Sequence, residues 1–533
     1  MTNRILHGAS DLNNARTELV IGFPDRIISL NPTSYLASDR ARLVNIYETL
    51  IRTDANLRIE PSLALSWGRI DDTTYQFELR PNVLFHNGER LTSADVEASF
   101  SYARKYPYSQ ISHLVASMKS FQALDDLTFR VTTLYPDPLF LNKLTAVFIL
   151  PKTFVFNDAD GLVTDEKNDS YEQNKVSTFR SAEIDEENFD TQPAGTGPYQ
   201  LFTFDKTTSA LELKRFDSYW GKKSSFEYVS LLSLEDKNER IRSVQNGALD
   251  ILAAVPASLV FELQSYDVNI ITYPSLEVNF LVLNASNLIP HNIFTKKKAR
   301  EAVSLAINKD ELVKFTQQYV TPHDQFVSSG VFGYDPTLSP YSYDIEKATA
   351  LMREIEHFVR VPLTVDLPTG LESFGKYLSD QMYEIGFSPT IQYHSLDELQ
   401  KKIASGTSQM YIFGWRSELG DSNDFFESVV HSKHNYSEST GFQNDIAFSY
   451  GQFNGSNYSN PQVDQLIEES LKNMNTEGRL SQLHQIMKIL VNDDIFGIPL
   501  FESQVIYATN PKVHFEPRLD GLIYAQNISL RPL

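Results

Sequence analysis

The stretch that decides the fold is IYETLIRTDANLRIEPSLALSWGRIDDTTYQFELRPNVLFHNGERLTSADVEASFSYA, residues 46–103. Leu43, Ile46, Tyr47 and Leu50 fall at i, i+3, i+4 and i+7, the spacing of one apolar helical face, so a helix is expected to run through them and pack inward. Asp71-Asp72 then marks a turn, and Tyr75, Phe77 and Leu79 alternate with polar residues as a half-buried strand does. Asn87-Gly88 marks another turn. Thr92, followed three residues later by Asp95, reads as a capping box that opens a helix with Val96, Phe100 and Ala103 on one side. The expectation is a folded core.

The chain has 533 residues, more than a single ordinary core, and its length implies roughly three to four domain-sized units. A hydrophobic content of 41% with 12% aromatics is ample for burial. Lys and Arg number 47 against 68 Asp and Glu, a formal charge of −21, which opposes binding to phosphate backbones and argues against a nucleic-acid partner. The one basic run, Lys296-Lys297-Lys298 with Arg300, is too short to reverse this and reads as a solvated helix face. There are no cysteines, so disulfides, thiolate metal sites and a cysteine nucleophile are excluded, and redox chemistry does not report the compartment. Residues 1–20 lack the apolar core of a signal peptide, and no apolar run reaches the roughly 18 residues of a membrane span. The chain is expected to be soluble as given.

Residues 157–192 are acidic, rich in Asn and Ser, and poor in large apolar residues. Asn157-Asp158-Ala159-Asp160-Gly161 approaches a calcium loop, but Phe156 stands where the loop should open and Lys167 where a glutamate should close it, so a surface loop is the better reading. From about 363 strands and helices alternate. Leu363, Val365 and Leu367 form a strand, Phe374, Leu378, Met382 and Ile385 share a helical face that Gly386 ends, Ile391 and Tyr393 suggest the next strand, 395–404 the next helix, and Met410 to Trp415 a buried strand. Such a βαβαβ unit requires a parallel sheet, with ligands beyond the carboxyl ends of its strands. That places Gly414-Trp415-Arg416 at a binding edge. Asn460-Pro461 caps a later helix.

The ordered series EPSLALSW (60–67), LRPNVLFHNG (79–88), LTSADV (91–96), PAGTGPYQLFTF (193–204), RFDSYWG (215–221), RIRSVQNGALDI (240–251), KKAREAVSLAINKDELV (297–313), FGWRSELGDSNDFF (413–426) and YSNPQVDQLIEESL (458–471) closely resembles the family 5 solute-binding proteins, the peptide- and nickel-capturing receptors of bacterial ABC importers. The resemblance spans about residue 18 to about 525. It implies an α/β, two-lobed, periplasmic-binding-protein-like clamp with mixed and parallel sheets and an extra subdomain inserted in lobe I. Lobe I would take residues 1–40, 190–275 and 495–533, the inserted subdomain 41–189, and lobe II 276–494, with hinge crossings near 276–284 and 494–503. It further implies a monomer without catalytic activity, working outside the cytoplasm, periplasmic or lipid-anchored with its signal removed, that hands a peptide or peptide-like solute to the permease subunits of an ABC importer.

The resemblance also carries site expectations. Peptide-binding relatives place an aspartate three residues after a Gly-Trp to pair with the ligand ammonium. Glu418 takes that place here, with Asp421 as the alternative carboxylate and a surface contact with Arg416 as the purely structural reading. Trp415 is expected to stack on the ligand, or else to pack in the core. Val278, Asn279 and Phe280 match a hinge strand whose backbone pairs with an extended peptide, or form a plain crossover. The arginine that dipeptide-binding relatives carry in the loop corresponding to 368–374 is missing, which disfavours a dipeptide carboxylate as anchor and leaves Arg416 as a substitute cation. A nickel-chelate or other small-solute carrier is the alternative; His431 and His434, three apart, could share a helical face as paired metal ligands, but HSKHNYSES reads as a polar loop, and the reading is no resident metal and no cofactor. HExxH, GxSxG and Walker A sequences are absent, so a secreted hydrolase is the weakest reading.

Overall fold

The computed structural model describes residues 17–33, 37–106, 109–155, 186–315, 319–356, 359–432, 434–435 and 449–532. The segment 157–161, which approaches a calcium loop in sequence, falls outside these residues, as does the side chain of His434.

Strand β1 (Glu18–Phe23) buries Leu19 and Ile21 completely. Helix α1 (Ala37–Leu43) follows, and here the structure departs from the apolar spacing. The helix stops at Leu43, although Ile46, Tyr47 and Leu50 are all buried as the pattern required. A distant segment claims the backbone that a longer helix would need: the N–H groups of Tyr199 and Gly197 donate to the carbonyls of Asn45 and Ile46 at 3.1 and 2.9 Å. The glycines of PAGTGPY make this contact possible. A Cβ on Gly195 would lie 1.9 Å from the Ile46 oxygen, and one on Gly197 would lie 2.7 Å from the Asn45 oxygen.

Strands β2 (Ala64–Arg69), β3 (Thr74–Leu79), β4 (Met118–Ala123) and β5 (Thr128–Thr133) form a separate antiparallel sheet in the order β2-β3-β5-β4. Helix α2 (Ser93–Lys105) covers it with Val96, Phe100 and Ala103. The Thr92 N–H donates to Asp95 Oδ2 at 2.7 Å, the reciprocal arm of the expected capping box. A short helix, α3 (Phe140–Leu144), closes this core. The chain then returns to the main sheet through β6 (Tyr199–Asp205), β7 (Ala210–Arg215), β8 (Tyr228–Ser233) and β9 (Ile251–Leu252).

The main sheet is completed by β10 (Asn269–Leu283), β11 (Val320–Pro322), β12 (Val361–Pro368), β13 (Phe387–His394), β14 (Met410–Arg416) and β15 (Gly497–Thr509), in the order β13-β12-β14-β10-β15-β9-β1-β8-β7-β6 with β11 also on β15. As the alternating pattern predicted, β12 runs parallel to both β13 and β14. Helices α4 (Lys297–Ala306), α5 (Glu372–Glu384) and α6 (Leu396–Ala404) pack around this part, and Gly386 ends α5 in the left-handed conformation, φ 108°. Helices α7 (Pro461–Ser470) and α8 (Thr476–Lys488) precede β15.

Strands β10 and β15 are antiparallel neighbours from Asn269 opposite Thr509 to Val282 opposite Gly497. Their pairing slips between Pro274 and Val278 and again between Asn279 and Phe280, so two long strands carry irregularities at the same level of the sheet. On one side of that level the core holds Leu19, Ile21, Leu213 and Tyr507; on the other, Phe280, Phe326 and Phe425 cluster together.

Candidate functional site

The carboxyl end of β14 leaves the core residue by residue: Met410 and Tyr411 are buried, and Trp415 and Arg416 are half-buried. The Trp415 indole N–H donates to Asp424 Oδ1 at 3.2 Å, and its ring lies 6.2 and 5.8 Å from the rings of Phe425 and Phe453. Arg416 Nε donates to Glu418 Oε1 at 2.8 Å, and its Nη2 donates to the carbonyl of Asp520 at 2.8 Å. The Glu418 side chain remains 42% exposed. Arg416 and Glu418 are thus brought together on one short strip, Trp415–Glu418, while the Trp415 ring turns to Asp424, Phe425 and Phe453.

The strip is walled in by distant segments. The Asn142 amide, on α3, donates to the Leu419 carbonyl at 2.8 Å. The side chain of Leu57 packs over Gly420. Asp520, which meets Arg416 through its backbone, holds Arg518 at 2.6 Å and accepts from the Thr53 hydroxyl at 3.2 Å.

The other expected residues stand elsewhere in their roles. Asp421 is buried, and its two oxygens accept from Arg479 at 2.6 and 2.7 Å, while Oδ1 also takes the Asn423 N–H at 3.0 Å. Its charge is already met by Arg479. Val278 and Phe280 are fully buried, and β10 is flanked there by β14 on one edge and β15 on the other. The backbone of 278–280, where pairing with an extended ligand was expected, therefore lies in a central strand with a neighbour on each edge. Asn279 turns its amide to Glu277 Oε1 and Ser503 Oγ at 3.1 and 3.0 Å. His431 is committed as well, stacked on Tyr450 at 4.2 Å with Nδ1 on the Ser432 carbonyl at 2.7 Å.

Two carboxyl groups escaped the sequence reading. Asp424 holds the indole of Trp415, and its carboxyl is pushed up to about 8, first by burial and further by the charge of Asp421, against the opposing indole hydrogen bond. Glu277, opposite Arg416 across the β10–β14 ladder, accepts from Asn279 and from Ser503 and has no cation partner among the described residues. Spacing could not have separated Asp424 from Glu418 and Asp421, since all three follow Trp415 within ten residues and only the turn geometry decides which one faces inward.

Residues 58–437 match the sequence profile of the bacterial extracellular solute-binding proteins, family 5. The chain is 24% identical over 523 residues to heme-binding protein A of Haemophilus influenzae, covering 92% of this chain and 87% of that protein. It is 26% identical over 431 residues to a dipeptide-binding protein of Escherichia coli, covering 74% of each. Among solved structures it is similar to the ABC transporter substrate-binding protein CtaP of Listeria monocytogenes, with a TM-score of 0.79 at 20% identity, over 97% of this chain and all of that one.

Proposed function

Because the chain belongs to the bacterial extracellular solute-binding proteins of family 5, non-catalytic capture components of ABC importers, we propose that its solute is a peptide or peptide-like molecule held against the Trp415–Glu418 strip. The fold is the α/β periplasmic-binding-protein fold, with a mixed main sheet and a separate small antiparallel sheet. No helix among the described residues is long and apolar enough to cross a membrane.

The observation that carries the peptide reading is the partly exposed Arg416–Glu418 pair at the carboxyl end of β14. A pair in that setting is worth little to stability. It does present one cation and one carboxylate side by side, the complement of a zwitterion. A ligand ammonium can replace Arg416 on Glu418 while Arg416 keeps the Asp520 carbonyl, and burial of the ligand removes the water that weakens such contacts. The clamp we envisage has lobe I in residues 1–40, 190–275 and 495–533 with 41–189 inserted, and lobe II in 276–494. The irregular pairing of β10 with β15 supports a hinge there, because a slipped ladder bends at less cost than a regular one.

The test is calorimetry with tetra-alanine and its N-acetylated form on wild type and Glu418→Gln. The variant keeps shape and loses charge, so the free-amine peptide should lose about 2–5 kcal/mol of affinity and the acetylated one far less. Equal losses would remove Glu418 from the ammonium site.

A further inference from the structure

A second charged feature lies at the end of α1. Arg40, Tyr47, Thr49, Arg52, Thr145 and Tyr524 line a small pocket with room for about one water molecule. Its two cations are unequal. Arg52 Nε is 2.7 Å from Glu60 Oε1. Arg40 has no carboxylate partner among the described residues: one terminal nitrogen donates to the Thr145 carbonyl, and its buried Nε–H meets no acceptor. A half-buried guanidinium with an idle donor is costly to hold in place unless something supplies both an acceptor and a negative charge. Glu48, on the same wall, does not supply it. Its oxygens accept from the Tyr219 hydroxyl at 2.9 Å and the Trp220 indole N–H at 2.8 Å, and burial pushes its carboxyl toward the neutral form.

The pocket is tied to the strip at two points. Asn142, three residues before Thr145, donates to the Leu419 carbonyl. Thr53, next to Arg52, accepts on its carbonyl from Arg518 Nη2 at 2.8 Å, and Arg518 in turn holds Asp520, the residue whose carbonyl Arg416 contacts. Glu418 and Arg40 are therefore linked through two short chains of contacts, the first side chain negative and the second positive.

We propose that Arg40 is a docking point for a carboxylate of the solute, which replaces water in the pocket. The proposal rests on the peptide reading for the identity of that carboxylate, a peptide C-terminus, but the anion site itself does not. It supplies from the α1 side the cation that the segment 368–374 lacks.

Two measurements test it. In thermal denaturation, sodium acetate should raise the melting temperature of wild type above that in equimolar sodium chloride; the gain should vanish in Arg40→Gln and survive in part in Arg40→Lys. In calorimetry, wild type should prefer tetra-alanine to its C-terminal amide by at least tenfold, and Arg40→Gln should bind the two alike. An Arg40-dependent acetate gain with no binding of either peptide keeps the carboxylate site and removes the peptide reading. Equal binding of acid and amide to wild type overturns the site and leaves the peptide reading standing. An acetate gain that persists in Arg40→Gln overturns it too, as does water alone in the pocket, read as no acetate gain and no acid preference. If Arg40→Gln fails to fold, the acid and amide comparison on wild type and Arg40→Lys decides alone.

Discussion

Asp421 and Arg479 meet as a two-point ion pair, 2.6 Å from Oδ2 to Nη1 and 2.7 Å from Oδ1 to Nη2, with both side chains buried. Arg479 also donates through Nε to the Ser470 carbonyl at 3.0 Å, so one guanidinium pins the turn after Trp415 to the end of α7 and the start of α8. A planar fork on a carboxylate fixes direction as well as distance. The pair fixes where the turn after Trp415 meets α7 and α8.

Asp421→Asn should therefore act on stability and not on ligand charge. Leaving Arg479 buried without its counter-ion costs about 3–5 kcal/mol. Urea unfolding should show the loss, while the ratio of affinities for free and N-acetylated tetra-alanine stays at its wild-type value. A changed ratio with unchanged stability would return Asp421 to the binding surface.

Asp424 gives a pH signature of its own. Folding lifts its carboxyl from the ordinary 3.8 to about 8, chiefly by burial, so the native state holds a proton that the unfolded chain releases. The stability this contributes is complete below about pH 4 and is lost as pH rises through about 8. Asp424→Asn keeps an acceptor for the Trp415 indole and removes the titration. Wild type should lose stability relative to the variant between pH 5 and pH 9 in urea titrations. A constant difference across that range would mean that Asp424 is ionised in the fold.

Gly195 tests why the PAGTGPY segment needs its glycines. The position does not require a left-handed backbone; it requires the absence of a Cβ, which would stand 1.9 Å from the Ile46 oxygen. The neighbours are the Ile46 carbonyl, which is backbone, and the ring of buried Tyr47 at 3.0 Å, so Gly195→Ala should cost at least the 1–3 kcal/mol typical of overpacking. Thermal unfolding checks it. Gly68→Ala, where nothing lies within 4 Å of the added carbon, is the control expected to change little.

The contrast between these positions marks what was legible in the sequence. The strand at Tyr75, Phe77 and Leu79, the cap at Thr92 and the alternation from Leu363 to Trp415 were readable because period, cap and turn residues are local signals. The helix expected through Ile46 and Leu50 was not, since its end is set by hydrogen bonds from residues 197 and 199, about 150 positions away. The same limit governs the site. Gly414-Trp415 located the strip, but which of Glu418, Asp421 and Asp424 meets solvent, an arginine or an indole depends on Arg479 and on tertiary packing that no spacing encodes. Val278 and Phe280 read as a strand and are one, yet only the sheet order reveals that both of its edges are taken.

The contact between Asn142 and the Leu419 carbonyl, 2.8 Å, offers a way to tell a closing contact from a permanent one. Asn142 stands on α3 and Leu419 on the strip, and the two belong to parts of the chain that we assign to different lobes. If the bond forms only when the lobes meet, it stabilises the ligand-bound state alone. A neutral side-chain to backbone bond contributes about 0.5–1.5 kcal/mol net, so Asn142→Ala should weaken tetra-alanine binding by about 2- to 12-fold. Because a closing contact is absent from the open state, the melting temperature without ligand should hold. A contact present in both states predicts the reverse, a lower melting temperature with affinity unchanged. Small-angle scattering supplies the independent reading: wild type should contract on saturation with tetra-alanine, and Asn142→Ala should need more peptide to reach the same radius of gyration. An unchanged radius with binding confirmed by calorimetry would rule out the clamp and leave the Asn142 bond as part of a rigid cleft.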